Sequence, residues 1–364
     1  MTQLKEAEDV DATRTGNAVL RATGSCIPPS MKITIVAFEG CMTSAVFGQA
    51  DAFAVAAYIS ERRADSSWSG HDVRLATPGG KPVRGYGGHL IEPDCSLADA
   101  DDSHVVLIPP IFNDIEQTLA QEAGLVSWLA SFPENSKLLA STCTGAFLLA
   151  EAGILDGRRV TTNPAFGVLF QQRYPGVRLA LDERIIDDNM VICAGATTAY
   201  LNLAIHVIDR LAGHDLAVST AKALSIDRNP ESQRPYFLFI APKDHGDDKV
   251  LRLQTWIEVH HRDPISIDDM VGAAGMSVRN LNRRFLTATG MAPRQYLRRV
   301  RIETAKRLLE EQNVPVDRVA EQVGYGDTRA FIRAFGILAG LSPGQYRQKF
   351  RALRRELPLE PIKG

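Results

Sequence analysis

Apolar positions in the first two thirds of the chain form short runs that alternate with segments of helical spacing. The apolar runs, which predict buried β-strands, lie at 32–38, 73–76, 105–108, 138–141 and 190–194. The segments of helical spacing lie at 45–60, 115–130, 145–152 and 199–212. Strands that alternate with helices predict an α/β fold, with a doubly wound, mostly parallel sheet covered by helices on both faces.

The pattern changes after a polar stretch at 241–248 that contains Pro and Gly, and only helical periodicity follows it. We expect this stretch to link an α/β domain at 31–240 to an all-α domain at 249–350. Residues 1–30 lack periodicity and are expected to form a flexible tail, and 351–364 a C-terminal tail.

A helix-turn-helix is predicted within the all-α domain, with a first helix at 267–274, a break at Gly275 and an N-cap at Ser277 for a second helix ending near Thr289. The second helix places three apolar residues on one face, expected to be buried, and three polar residues on another. The apolar set is Val278, Leu281 and Phe285, and the outward set is Arg279, Asn282 and Arg283. Arginine bonds guanine bidentately and asparagine bonds adenine, so the outward set suits the major groove of DNA.

The same arrangement recurs about fifty residues later. A helix at 316–323 is followed by a break at Gly324 and by Asp327, which caps a further helix in which Phe335 mirrors Phe285. The equivalent outward residues are Thr328, Arg329 and Arg333. The repeat predicts two helix-turn-helix units in one domain.

One continuous helix at 293–312 is predicted between the units, with Pro293 at its first turn. Twenty residues span roughly 30 Å at ~1.5 Å each. That length is close to the ~34 Å between successive major-groove faces, so one monomer is expected to bind two of them. Basic residues that could contact phosphates from this helix are Arg298, Arg299, Arg301, Lys306 and Arg307. The alternative is that several of them only solvate the helix.

Charge is distributed unevenly along a chain of formal net charge −2. Residues 249–364 contain 21 Lys and Arg against 12 Asp and Glu, a net charge of +9, and residues 1–248 are correspondingly negative. The asymmetry favours a polyanionic partner for the basic part. The alternative is a solvated basic surface without a partner.

Two stretches within 251–350 resemble the AraC-type DNA-binding domain of AraC/XylS regulators: SVRNLNRRFLTATGMAPRQYLRRVRIETAKRLL and VDRVAEQVGYGDTRAFIRAFGILAGLSPGQYR. The resemblance implies sequence-specific binding to double-stranded promoter DNA through both outward sets. It also implies regulation of transcription with RNA polymerase as a partner, more commonly activation.

Cys143 is predicted at a sharp turn between the strand at 138–141 and the helix at 145–152. Such a turn exposes a thiol above the sheet edge and directs helix N–H groups towards it, which lowers a thiol pKa. A nucleophilic cysteine also needs a nearby base, normally histidine. The local sequence contains no histidine, so a nucleophilic Cys143 would lack the base that deprotonates its thiol.

Residues 31 to about 225, most clearly STCTGAFLLAEAGILDGRRVTTNP, resemble the class I glutamine amidotransferase-like superfamily in the PfpI-like form that is fused to AraC-type domains in GlxA-like regulators. In that pattern a histidine follows two threonines, where this chain has Asn163. Its enzymes also place an acidic residue just after the first strand, where Gly40–Ala45 contains no carboxylate and Glu39 lies earlier than expected. The resemblance therefore predicts binding without turnover.

A ligand is expected beyond the carboxyl ends of the strands. The residues expected to converge there are Phe38, Glu39, Pro110, Phe112, Cys143, Thr144 and Asn163. For Cys143 the alternatives are that it only packs as a small residue or that it senses redox state. The resemblance implies a small nitrogen-bearing effector, such as an amino acid or a quaternary amine, and we expect a homodimer formed through the α/β domains. An alternative is a cysteine-dependent, deglycase-like hydrolase that uses Cys143 and has a DNA-binding tether.

Five scattered cysteines without CxxC spacing argue against disulfides and zinc. We accordingly expect no metal and no cofactor. The absence of a long apolar run and of a secretory signal predicts a cytoplasmic protein with no membrane contact.

Overall fold

The computed structural model describes residues 31–63, 71–228, 232–239 and 241–351. The predicted tails at 1–30 and 352–364 lie outside the described residues. The described residues form two compact units, one comprising 31–163 and 173–228, the other comprising 164–172 and 232–351.

A seven-stranded sheet forms the centre of the first unit, in the order β10-β11-β7-β6-β1-β2-β5. Its strands are β1 (Met31–Val36), β2 (His71–Thr77), β5 (Cys95–Ser96), β6 (Val105–Ile108), β7 (Leu138–Thr142), β10 (Ile185–Asp188) and β11 (Val191–Ala194). All neighbours pair in parallel except β10, which is antiparallel to β11. Two small pairs accompany the sheet: β3 (Val83–Arg84) with β4 (Leu90–Ile91), and β8 (Arg159–Val160) with β9 (Arg178–Leu179). The predicted mostly parallel α/β fold is confirmed.

Helices connect the strands of this sheet. They comprise Thr43–Glu61, Ile115–Gln121, Ala123–Ala130, Ala146–Glu151, Tyr200–Ala212 and His214–Ala223. A further helix, Gly167–Arg173, lies in the second unit except for its last residue. The single helix predicted at 115–130 is wrong, because Glu122 has ψ of 26° and separates two shorter helices. Strands β6 and β7 are buried along their whole length, which explains their uninterrupted apolar sequence.

The second unit is built from helices at Asp248–His260, Ile267–Ala274, Val278–Thr289, Pro293–Glu311, Val316–Gln322, Thr328–Ala339 and Pro343–Arg351. The predicted N-caps are confirmed, since the Ser277 and Asp327 side chains accept hydrogen bonds from backbone N–H groups of the helices that follow. Below, Val278–Thr289 is the first reading helix, Thr328–Ala339 the second reading helix, and Pro293–Glu311 the connecting helix.

The connecting helix belongs to two separate hydrophobic clusters. Its first turns contribute Tyr296 and Leu297 to a cluster with Leu281 and Phe285 of the first reading helix. Its later turns contribute buried residues to a cluster with the second reading helix: Ile302, Ala305, Leu308 and Leu309. One rigid element therefore packs against both reading helices.

The predicted linker at 241–248 packs against the second unit in the structure. Asp247 caps the helix Asp248–His260 and accepts two hydrogen bonds from Arg284, at 2.8 and 2.7 Å. The buried Gln254 side chain donates to the Pro242 carbonyl oxygen at 2.8 Å. The compact unit also includes 232–239, so it begins earlier than the predicted domain limit of 249. The sequence could not show these contacts because they join residues 12 to 37 positions apart.

A second set of contacts joins the two helix-turn-helix units. Arg301 of the connecting helix donates to the carbonyl oxygens of His261 and Asp263, both at 2.7 Å, and its guanidinium lies 5.5 Å from the Tyr325 ring centroid. Gly324 has φ of 83°, and a Cβ there would lie 2.7 Å from the Arg262 carbonyl oxygen. Glycine is therefore required twice over, by conformation and by space.

We expect Gly324→Ala to destabilise the full chain more than Gly275→Ala. Gly275 also has positive φ but has no atom within 4 Å of the position of a Cβ. Its replacement should cost about 1–2 kcal/mol from backbone strain, whereas Gly324→Ala adds a backbone clash of about 1 kcal/mol or more. Urea unfolding followed by circular dichroism measures both, and equal losses would contradict the close approach at Gly324.

Candidate nucleic-acid interface and ligand site

The first reading helix exposes its predicted outward set. Arg279, Asn282 and Arg283 are all exposed, while Leu281 and Phe285 are fully buried. Arg283 Nη2 donates to Asn280 Oδ1 at 3.1 Å, a contact one turn apart that orients the guanidinium. The expectation that Val278 is buried is wrong, because this first residue of the helix lies beyond the edge of the cluster and is 43% exposed.

The second reading helix presents a similar surface. Arg329 and Arg333 are exposed, and Thr328 at the first helical position is half-buried. Phe331 and Phe335 are fully buried beneath them. Both helices therefore direct arginine side chains away from their hydrophobic clusters.

The two reading helices are held by matched contacts. Tyr296 packs on Phe285 with ring centroids 5.3 Å apart and donates to Glu258 Oε1 at 2.6 Å. Tyr346 packs on Phe335 at 5.4 Å and donates to Glu310 Oε1 at 2.7 Å. Burial and the carboxylate acceptor raise the pKa of both phenols, so each stays a proton donor at neutral pH. The repeated sequence thus produces a repeated structure.

The basic residues of the connecting helix fall into two groups. Arg298, Arg299 and Arg307 are exposed, as phosphate contacts require. The Arg301 guanidinium donates to the His261 carbonyl oxygen. Lys306 is 5% exposed and donates to the Phe237 carbonyl oxygen at 2.6 Å. The expected phosphate contacts from Arg301 and Lys306 are therefore wrong, because the same helix face packs against the unit's interior.

Cys143 lies at the predicted turn, directly after strand β7. Its φ is 56°, a left-handed conformation that is rare for a residue with a Cβ, and its side chain is 1% exposed. Two hydrogen bonds hold the turn against neighbouring segments of the protein. Thr144 Oγ1 donates to the Ile111 carbonyl oxygen, and Thr162 Oγ1 donates to the Cys143 carbonyl oxygen, both at 2.7 Å. Next to it, a Cβ on Gly145 would lie 2.6 Å from the Pro109 carbonyl oxygen.

Two polar side chains contact the Cys143 sulfur in the described part of the chain. Asn163 Nδ2 donates to it at 3.3 Å, and Thr197 Oγ1 lies 3.6 Å away. Neither an amide nor a hydroxyl accepts a thiol proton as a base does at neutral pH. Asn163 was predicted at this site; Thr197 was not, because it follows β11 fifty-four residues away.

The other predicted ligand residues divide into a scaffold and a rim. Phe38 and Pro110 are buried, and their carbonyl oxygens accept from the N–H groups of Cys41 and Met42 at 3.1 and 3.0 Å. Phe112 and Glu39 are exposed at the same edge. The Phe112 N–H donates to the Gly40 carbonyl oxygen at 3.2 Å, so the segment that follows β6 lies next to the segment that follows β1.

The rim also contains residues that the sequence did not indicate. Tyr86 packs against Phe112 with ring centroids 4.9 Å apart, and Glu39 Oε1 accepts from the Arg84 N–H at 3.1 Å. Burial raises the pKa of the half-buried Glu122, an effect that the backbone N–H of Glu39 partly offsets. Glu122 is the residue that interrupts the predicted helix, and its charge adds to the effect of burial in raising the pKa of the Cys41 thiol.

A second cysteine at this edge is inert. Burial raises the pKa of Cys41 to about 12, so its thiol stays protonated at neutral pH. Among the described residues, no three His, Cys, Asp or Glu side chains are grouped to hold a metal ion. No helix in the same part of the chain is long and apolar enough to cross a membrane.

Comparison with known proteins matches both units. A sequence model of the DJ-1/PfpI family matches residues 31–210, and a helix-turn-helix domain model matches 270–349. The chain is 26% identical over 274 residues to the HTH-type transcriptional regulator CdhR of Pseudomonas aeruginosa, covering 75% of this chain and 80% of CdhR. It is 24% identical over 287 residues to the HTH-type transcriptional regulator GbdR of the same species, covering 78% of this chain and 76% of GbdR.

A crystal structure of an AraC family transcriptional regulator from Pseudomonas putida aligns with 53% of this chain and 99% of its own, at 18% identity and a TM-score of 0.46. On the two family matches and the two regulators, the chain contains a DJ-1/PfpI domain followed by an AraC-type helix-turn-helix domain, and it is a DNA-binding transcription regulator.

Proposed function

We propose that the two reading helices bind one operator in successive major grooves, and that an effector at the carboxyl edge of the sheet controls this binding without being turned over. The observation that carries the proposal is the matched pair of arginine-bearing helices packed on one connecting helix. DNA contacts are assigned to Arg279, Asn282, Arg283, Thr328, Arg329 and Arg333, of which all but the half-buried Thr328 are exposed.

The dimensions of the connecting helix support binding to adjacent grooves. Nineteen residues span ~28 Å, against the ~34 Å repeat of B-DNA. The exposed Arg298, Arg299 and Arg307 supply charge for the phosphates between the two grooves. The function needs access to chromosomal DNA and RNA polymerase, so we assign the protein to the cytoplasm. We also propose that it forms a homodimer through the DJ-1/PfpI domain and that it activates transcription.

The effector site is proposed at the rim around Cys143. Phe112 and Tyr86 offer aromatic faces and Glu39 offers a carboxylate, the groups that bind an ammonium or quaternary amine. An amino acid or a quaternary amine is therefore the proposed class of effector. Because the Cys143 sulfur contacts Asn163 and Thr197 and no base in the described residues, we propose binding without catalysis.

We expect Arg283→Ala and Arg333→Ala each to weaken operator binding by about 5- to 150-fold, the equivalent of ~1–3 kcal/mol for a lost base contact. Each loss should be confined to one half-site, because the two arginines lie on different reading helices. Footprinting and gel shifts of the full chain on the gene's own upstream region, at fixed salt, measure both.

The matched control is Arg252→Ala, which removes an exposed arginine outside both helix-turn-helix units. It should lower affinity only through general charge, equally for operator and unrelated DNA. Absence of sequence-selective binding by the unmodified chain would refute the proposed function.

The effector proposal predicts that Phe112→Ala weakens binding of a cationic metabolite by about 2- to 30-fold, the range of a cation–π contact. Thermal-shift and calorimetric titration of the full chain with amino acids and quaternary amines provide the measurement. Tyr58→Ala is the control, since Tyr58 is also an exposed aromatic residue but lies near the far end of the helix Thr43–Glu61. Equal binding by Phe112→Ala and the unmodified chain would remove Phe112 from the site.

Cys143→Ala distinguishes binding from catalysis. We expect the effector response of a reporter promoter to survive this substitution, because no described side chain is placed to deprotonate the thiol. Cys95→Ala, at the edge strand β5, controls for loss of a cysteine. Measurable hydrolysis by the unmodified chain that disappears in Cys143→Ala would instead establish the alternative enzyme.

A further inference from the structure

Ile332 is an apolar residue on the DNA-facing side of the second reading helix. Its side chain is 41% exposed, although other large apolar residues of this helix, Phe331 and Phe335, are fully buried. The exposed Arg329 and Arg333 precede it by three residues and follow it by one. Because residues three and four apart share a helix face, Ile332 and Arg333 each share a face with Arg329.

The repeat shows what Ile332 replaces. Aligning the caps Ser277 with Asp327, and Phe285 with Phe335, places Ile332 where the first reading helix has Asn282. Asn282 is exposed and offers a donor and an acceptor, which suit adenine. Isoleucine offers neither, so the two reading helices present different chemistry at the same position.

In the major groove, the apolar group available at the base edges is the C5-methyl of thymine. We propose that Ile332 recognises the thymine methyl group at one position of the half-site bound by the second reading helix. This inference rests on the proposed function and adds a specificity residue to it: the second reading helix makes an apolar base contact at the position where the first has Asn282.

The charges around Ile332 favour DNA over a protein partner as its occupant. Any surface that covers Ile332 also covers Arg329 and Arg333, whose guanidinium groups must then be matched. Guanine edges and phosphates supply such acceptors beside a thymine methyl. A protein partner would have to supply two carboxylates around an apolar spot, and burying such charges is costly.

The test replaces thymine by uracil, which lacks the methyl group, one position at a time in the second half-site of the footprinted operator. Affinity is measured by fluorescence anisotropy at fixed salt for the full chain and for Ile332→Ala and Ile337→Ala. Ile337 is the matched control, because it is 56% exposed on the same helix but lies near its C-terminal end, away from the end that reads bases.

For the unmodified chain, one thymine-to-uracil change should weaken binding by about fourfold, as expected for one lost methyl contact. The same change should have no effect on Ile332→Ala and its full effect on Ile337→Ala. Thermal melts should show all three proteins equally folded, because both isoleucines are exposed.

Two results would overturn the inference: the unmodified chain tolerates uracil at every position, or Ile332→Ala keeps its sensitivity to uracil. If the operator is still bound selectively in either case, the proposed function stands. Loss of sensitivity in both variants would overturn the assignment to Ile332. No selective binding to any operator would overturn the proposed function and this inference together.

Discussion

The packing of one connecting helix into two hydrophobic clusters fixes the relative positions of the reading helices. Tyr296 and Leu297 belong to one cluster and Ile302, Leu308 and Leu309 to the other, so neither unit can turn about the helix without opening its own core. Arg301 adds a polar constraint by binding two carbonyl oxygens of the turn after the helix Asp248–His260. The spacing of the proposed DNA contacts follows from these packing contacts.

Local signals made the helical unit predictable. The N-caps Ser277 and Asp327 and the glycine at 275 mark helix ends by chemistry that acts over a few residues, and the structure places the ends there. Contacts over longer distances were not predictable. Arg301 and Lys306 looked like surface charges because their partners lie 40 and 69 residues away. Val278 followed the apolar period, but the cluster does not extend beneath the first residue of its helix.

The edge of the sheet proposed to bind the effector was predictable to a similar degree. A strand followed by a helix placed Cys143 at a turn, and the parallel order of β1, β6 and β7 brought its neighbours to the same edge. Phe38 and Pro110 are covered by their own backbone contacts and serve as scaffold. Glu122 and Tyr86 were missed, because a break inside a helix and a turn between two-residue strands leave no periodic signal.

Control by an effector requires that its binding free energy differ between two arrangements of the protein, since a ligand that binds both equally shifts neither. An effector that is not turned over stays bound unchanged, so the difference in its binding free energy between the two arrangements persists while it is present. The chain entering the second unit is fastened to the first reading helix through Asp247 and Arg284, and the guanidinium holds the pKa of Asp247 below its usual range. That ion pair therefore stays charged at neutral pH. The segment at 232–239 contacts the second reading helix as well, since Arg234 Nη1 donates to the Ile337 carbonyl oxygen at 2.8 Å. The chain before residue 248 therefore contacts both reading helices.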